Sequence, residues 1–205
     1  EPLDHWYEIG NVIAVVNAGL EETLSDQAEF LLASEVADAG SIILSRSQEV
    51  PVTKQDATIE HLNRSLVKLG CRRQIKGDEV LRSPWNEWTE REFEQVLNGG
   101  YCTESYRKPE YREDQGFQSL YYMNLQIKKE ELKEKMKEAL KDPACGKLFR
   151  IKGFMQDENE KWIELNATQY EIQMNPVGEG QNVLIVIGEG LEEDALAKYF
   201  GTPAR

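Results

Sequence analysis

Histidine and cysteine are scarce in this chain: two His and three Cys among 205 residues. Cys71, Cys102 and Cys145 are widely spaced and odd in number, which fits neither a disulfide framework nor a zinc ribbon and points to a reducing cytoplasm. His5 and His61 have no Cys, His or acidic neighbour at a recognised ligand interval, so each reads as a surface or packing histidine and no metal site is assigned. Positive charge is also short. Lys and Arg number 24 against 37 Asp and Glu, a net charge of −13 that would repel a phosphate backbone and excludes nucleic acid as a partner. The longest purely apolar run, Val183 to Ile187, falls far short of the ~20 residues a membrane span needs, so the expectation is a soluble protein with no membrane partner. The opening "EPLDHWYEIG" has no Met and no basic-then-apolar leader. It reads as neither a translation start nor a signal peptide, and the chain is expected to be a portion of something longer.

The motifs of common chemistries are missing as well. A phosphate cradle needs Gly-x-x-x-x-Gly-Lys-Ser/Thr, whose glycines let backbone N–H groups face phosphate oxygens, and no such string occurs. Gly178-Glu179-Gly180 and Gly188-Glu189-Gly190 lack the third glycine of a dinucleotide fingerprint and carry an acid that would repel phosphate, so they read as turns. No serine sits in a Gly-x-Ser-x-Gly elbow. With 37 acidic residues, carboxylate pairs arise by numbers alone and identify nothing. No catalytic residue is assigned, and the chain as it stands reads as non-enzymatic.

What is present is ordinary globular composition, 40% hydrophobic and 30% charged, enough to build a core without covalent staples. The first part alternates strand and helix signals. "NVIAVVNA" (11–18) is a β-rich apolar run, and "SDQAEFLLASEVADAG" (25–40) has helical spacing with Ser25 as N-cap and Gly40 as C-cap. "SIILS" (41–45) is a second strand. "TKQDATIEHLNRSLVKLG" (53–70) places Ile59, Leu62, Leu66 and Leu69 at helical intervals, opened by Thr53 and closed by Gly70. Strand, helix, strand, helix is the grammar of a parallel sheet.

Residues 81–115 read as a connector with one short helix, boxed by Thr89 and Glu92 and ended by Asn98-Gly99. Trp85 and Trp88 are expected to pack this connector onto its neighbour, and no site is assigned to them. The last part reads as a strand (116–126), a charged helix (128–141) with Leu132, Met136 and Leu140 on one stripe, four strands, and a closing helix from Leu191. Clustered strands with hairpin-length connections predict an α+β domain with a mostly antiparallel sheet.

Within that last part, Leu148, Arg150, Lys152 and Gly153 form the pattern Leu-x-Arg-x-Lys-Gly in "KLFRIKGFMQDENEKWIELNATQYEIQMN", followed by "LIVIGEGLEEDAL". Together they resemble the C-terminal domain of the CobW-like GTPase family. Read from the residues alone, the first pattern is a strand with outward basic side chains and a bulge glycine. The resemblance extends backwards, since that family places a P-loop GTPase domain before this one. "NVIAVVNA" is similar to the family's strand ending Val-Val-Asp-Ala, "EVADAGSIILSRSQEV" to the helix and strand entering the base-reading loop, and "HLNRSLVKLG" to the helix after it. Glu1-Pro2 fits the end of the family's Glu-Ser-Ser-Gly-x-Ala-x-Pro segment.

The resemblance implies an α/β, partial P-loop-type parallel sheet over residues 1–80, the connector over 81–115, and a CobW C-terminal-like α+β domain over 116–205. It implies cytoplasmic GTPases that deliver zinc, cobalt or related ions. Their P-loop, magnesium-binding segment and Cys-x-Cys-Cys motif would all lie before Glu1, so no cofactor is expected in this chain. GTP, magnesium and a transition metal would enter only with an upstream half.

By position, the resemblance carries over only the base-reading loop Asn-Lys-x-Asp, with Ser45 for Asn, Arg46 for Lys and Gln48 for Asp. A neutral amide in place of the carboxylate loses charge-assisted hydrogen bonds worth about 1.5–3 kcal/mol, roughly ten- to a hundredfold in affinity. Arg46 retains a planar cation able to lie along a base, and Asn17 in place of the family Asp is a second departure. The reading is a weakened or lost guanine site. The alternative reading is a non-hydrolysing protein-binding or regulatory module derived from the family. Under either, a parallel sheet without its phosphate-loop strand leaves an open edge, which implies a protein partner or self-association through that edge.

Overall fold

A computed structural model describes residues 8–107 and 117–204. The readings placed on Glu1-Pro2, His5 and residues 108–116 lie outside the described residues. The chain divides into two compact units, residues 1–110 and 111–205.

The first unit is built on a three-stranded parallel sheet in the order β1-β2-β3, with β1 Ile13–Asn17, β2 Ser41–Ser45 and β3 Val80–Leu81. β1 alternates strictly: Ala14 and Val16 are buried, while Ile13 and Val15 are 45% and 62% exposed. The inward residues of β1 and β2 meet Ala33, Val36 and Ala37 of α1 (Asp26–Ala37) and Ile59, Leu62 and Leu66 of α2 (Val52–Lys68) in one core. The helices therefore cover one face. Val15 lies beside Ile43 in the parallel register on the other, and β1 is an edge of the sheet.

Ser25 caps α1 as read, its Oγ accepting from the Ala28 N–H at 3.1 Å. The C-cap, however, is Asp38, and Gly40 serves a different need. A Cβ at Gly40 would stand 2.2 Å from the carbonyl oxygens of Gly99 and Gly100, so glycine is required there by close backbone approach. Arg73 completes the helix end, its Nη1 donating to the carbonyls of Val36 (2.7 Å), Ala37 (2.9 Å) and Ala39 (2.5 Å). The N-cap of α2 is Pro51 rather than Thr53, and its C-cap is Leu69 with Gly70 beyond it at φ +74°.

The segment read as a connector runs back along this unit. β3 joins the sheet, the Asn11 side chain donates to the Val96 carbonyl, and Tyr101 bridges to Ala39. α3 (Glu90–Leu97) has the Thr89–Glu92 capping box. Trp88 stacks edge-on against Phe93 at 5.4 Å and donates to the Ser83 carbonyl at 2.9 Å, both within the same segment, and Trp85 is 76% exposed, so neither tryptophan shows the packing onto a neighbouring element expected of it.

The second unit is a five-stranded antiparallel sheet in the order β4-β8-β5-β6-β7. Its strands are β4 Phe117–Met123, β5 Lys147–Gln156, β6 Trp162–Ala167, β7 Ile172–Pro176 and β8 Val183–Glu189. α4 (Lys129–Ala139) and α5 (Glu193–Phe200) cover one face, burying Leu132, Met136, Leu196 and Phe200 against Tyr122, Ile151, Leu165 and Val186. The bulge in β5 falls between Leu148 and Arg150, not at Gly153. Gly153 lies in regular ladder, where a Cβ would stand 2.0 Å from the Val183 carbonyl oxygen. Gly188, read as a turn residue, is likewise inside β8, and the turn falls at Gly190 with φ +56°. Arg150 and Lys152 are exposed on the face away from the helices. A partial α/β parallel sheet followed by an α+β antiparallel unit is the observed order.

Candidate functional site

The carboxyl ends of parallel strands are where open α/β sheets take ligands. Here the ends of β1 and β2 carry two adjoining turns, because Asn17 pairs with Ser45 and the Ala18 N–H donates to the Ser45 carbonyl at 2.9 Å. The first turn is closed by Asn17, whose Oδ1 accepts from the Gly19 N–H at 2.9 Å. That side chain is committed to its own turn. Thr58 of α2 ties the same turn down, its hydroxyl donating to the Ala18 carbonyl at 2.8 Å.

The second turn contains the residues singled out from sequence. Ser45 is half-buried and its hydroxyl donates to the Val16 carbonyl at 3.3 Å, so it braces β2 against β1. Arg46 adopts the left-handed region at φ +57°, a conformation costing a non-glycine residue roughly 1–2 kcal/mol, and turns the chain into a single 3₁₀ turn at Ser47–Glu49. Arg46 and Gln48 are both exposed. Ser47 between them is buried, and its carbonyl accepts from Gln55 Nε2 at 2.9 Å, which anchors the turn to the start of α2. The Ser47 hydroxyl finds no hydrogen-bond partner among the described residues. The geometry thus offers a braced loop with one cation and one amide directed outward. Ser47, Gln55 and Thr58 were not legible as its supports, because each bonds through a fold contact that local sequence does not encode.

A second polar cluster lies between α1 and α2. Glu29 is buried, with Oε1 at 2.7 Å from His61 Nε2 and 3.5 Å from Lys68 Nζ, while Oε2 accepts from the Ser65 hydroxyl. Ser, His and Glu together suggest a nucleophile relay, but the connectivity is wrong for one. Both Ser65 and His61 address the carboxylate, neither activates the other, and all three are buried. Burial works to raise the Glu29 carboxyl, yet the hydrogen bonds from Ser65 and His61 and the charges of His61 and Lys68 outweigh it, leaving the carboxyl below its ordinary value of 4.5. His61 is therefore a buried hydrogen-bond partner of Glu29 that ties α1 to α2.

Cys71 and Cys145 do not favour thiolate chemistry. Burial, then Asp142, pushes the Cys145 thiol up to about 11, and burial raises Cys71. All three cysteines are free. Among the described residues no group of three or more His, Cys, Asp or Glu side chains is arranged to hold a metal ion, and no helix is long and apolar enough to cross a membrane.

Residues 123–202 match the family model of the cobalamin synthesis protein cobW C-terminal domain. Two similar solved structures are the Zn(II)-bound YjiA GTPase from E. coli, at 20% identity with a TM-score of 0.35, and a Zn(II)-bound triple mutant of YjiA GTPase, at 18% and 0.36. Each alignment covers 98% of this chain and 63% of the other, so the chain spans less than two thirds of those proteins. No curated protein matches it significantly.

Proposed function

We propose that this chain, whose residues 123–202 match the CobW C-terminal domain, is the C-terminal portion of a CobW-like GTPase that delivers a transition-metal ion of the zinc or cobalt type. The observation that carries this reading is the match of residues 123–202 to the CobW C-terminal domain, downstream of a parallel-sheet unit. In it, Arg46 lies along the base and Gln48 meets its edge with an amide, giving weaker guanine recognition than a carboxylate would give. Phosphate, magnesium and metal chemistry belong to residues outside these 205, and this portion does not hydrolyse nucleotide by itself. The test is equilibrium titration of GTP and of Zn(II) into the protein isolated from its source and into the 205-residue chain. The source protein is expected to bind both and the chain neither. A source protein that binds neither, or a chain that hydrolyses GTP unaided, would overturn the reading.

The alternative, a non-hydrolysing binding module, draws support from β1. A parallel sheet is ordinarily covered on both faces, yet Ile13 and Val15 are exposed on an edge strand. On either reading that edge takes a further strand, from a longer polypeptide or from a second copy. Sedimentation of the 205-residue chain should show association that Val15→Lys abolishes; a concentration-independent monomer counts against an edge left open.

A further inference from the structure

We propose that the helix-free face of the five-stranded sheet, across β4, β8 and β5, docks an acidic amphipathic helix of a partner protein. The strand register writes out this face. Tyr121 of β4 lies opposite Ile185 of β8, which lies opposite Lys152 of β5; in the next row Ser119, Ile187 and Arg150 stand in line. An aliphatic strip is thus bordered by an aromatic strand on one side and by two cations on the other. Tyr121 and Met123 are 48% and 39% exposed, and Arg150 and Lys152 are exposed beside them. Contiguous exposed apolar surface of this kind marks an interaction site.

Charge selects the occupant. The chain carries −13 overall, and this face holds Glu189 at one end of β8 and Glu164 beyond it on β6, yet its centre presents two cations, and among the described residues neither Arg150 nor Lys152 forms an ion pair. Arg150 is held in place as well, its Nε donating to Asn166 Oδ1 at 2.8 Å from the neighbouring strand. An oriented guanidinium suits carboxylates, which it meets in a forked, bidentate geometry. Shape selects a helix. The β7–β8 connection closes the far end of the face, where a Cβ on Gly180 would lie 3.0 Å from both Phe154 and Trp162. What remains is a strip about three strands wide, each strand roughly 4.8 Å from the next, comparable to the ~10 Å diameter of a helix. Apolar residues at i, i+3, i+4 and i+7 would rest on Ile185 and Ile187, with flanking acids reaching Arg150 and Lys152. This inference does not depend on nucleotide or metal binding.

The test is fluorescence anisotropy of the full chain with a labelled helical peptide carrying leucine at those positions and glutamate elsewhere. Its lysine counterpart and labelled oligouridylate serve as the other arms. The glutamate peptide should bind, and the double substitution Arg150→Glu with Lys152→Glu should weaken it roughly tenfold or more. Lys133→Glu, on the outer surface of α4, should leave binding unchanged, and circular dichroism of these exposed variants should match the parent chain. Tyr121→Ser should weaken binding without changing its salt dependence. No binding of the glutamate peptide, equal or tighter binding of the lysine peptide or oligouridylate, or an unchanged double variant would overturn the proposal.

Discussion

Glu29 joins α1 to α2 through a buried carboxylate. Its carboxylate satisfies Ser65 and His61 at once in a buried site, so Glu29→Gln should cost about 1–3 kcal/mol, measured by urea unfolding at neutral pH. The pH dependence has a definite sign. A carboxyl whose folded value lies below its ordinary 4.5 binds its proton less readily when folded, so its contribution is complete above that value and is lost as pH falls through the depressed folded value. Between neutral pH and below about 4.5, the parent should therefore lose more stability than Glu29→Gln; parallel losses would contradict this account. In the loop, Gln48→Asp in the source protein should raise GTP affinity roughly ten- to a hundredfold, with little change for ATP. An unchanged GTP constant would remove Gln48 from the base edge. That Arg46 and Gln48 stand on an exposed turn between β2 and α2 was legible, because a strand signal followed by a helix signal brackets them. The Glu29–His61 contact was not, since it joins residues 32 positions apart that only the packing of α1 on α2 brings together.

Elements were readable where signal and cause are both local. The Thr89–Glu92 box, the Ser25 cap and the Leu132–Met136–Leu140 stripe each act within a few residues of themselves, and each stands where the sequence placed it. Glycine was misread where its cause is distant: Gly40, Gly153 and Gly188 are small because other backbone passes close to them. Gly153→Ala tests this directly. With the Val183 oxygen 2.0 Å from the new Cβ, β5 and β8 must separate locally at a cost of about 1–3 kcal/mol, seen as a lowered thermal midpoint. An unaltered midpoint would mean that this β5–β8 register is wrong. Trp85 was misread for the opposite reason, because its apolar ring predicted burial that its neighbours do not provide.

Among the described residues the buried apolar side chains form two clusters, one around Leu62 and one around Leu165, which share no residue. Leu62→Ala and Leu165→Ala should each cost about 2–5 kcal/mol, and their effects should add within about 0.5 kcal/mol in the double variant, as read by denaturant unfolding. Strong non-additivity would mean that the two cores are coupled. The division was legible as a change from alternating strand and helix to clustered strands, whereas the path of residues 81–107 back along the first unit depends on contacts with no local signature. The proposal that this chain is one portion of a longer CobW-like protein meets its plainest test in the intact mass of the protein purified from its source. The account predicts a mass exceeding the 23.5 kDa of these 205 residues by at least half a domain. A mass of 23.5 kDa would contradict it and leave the binding-module reading in its place.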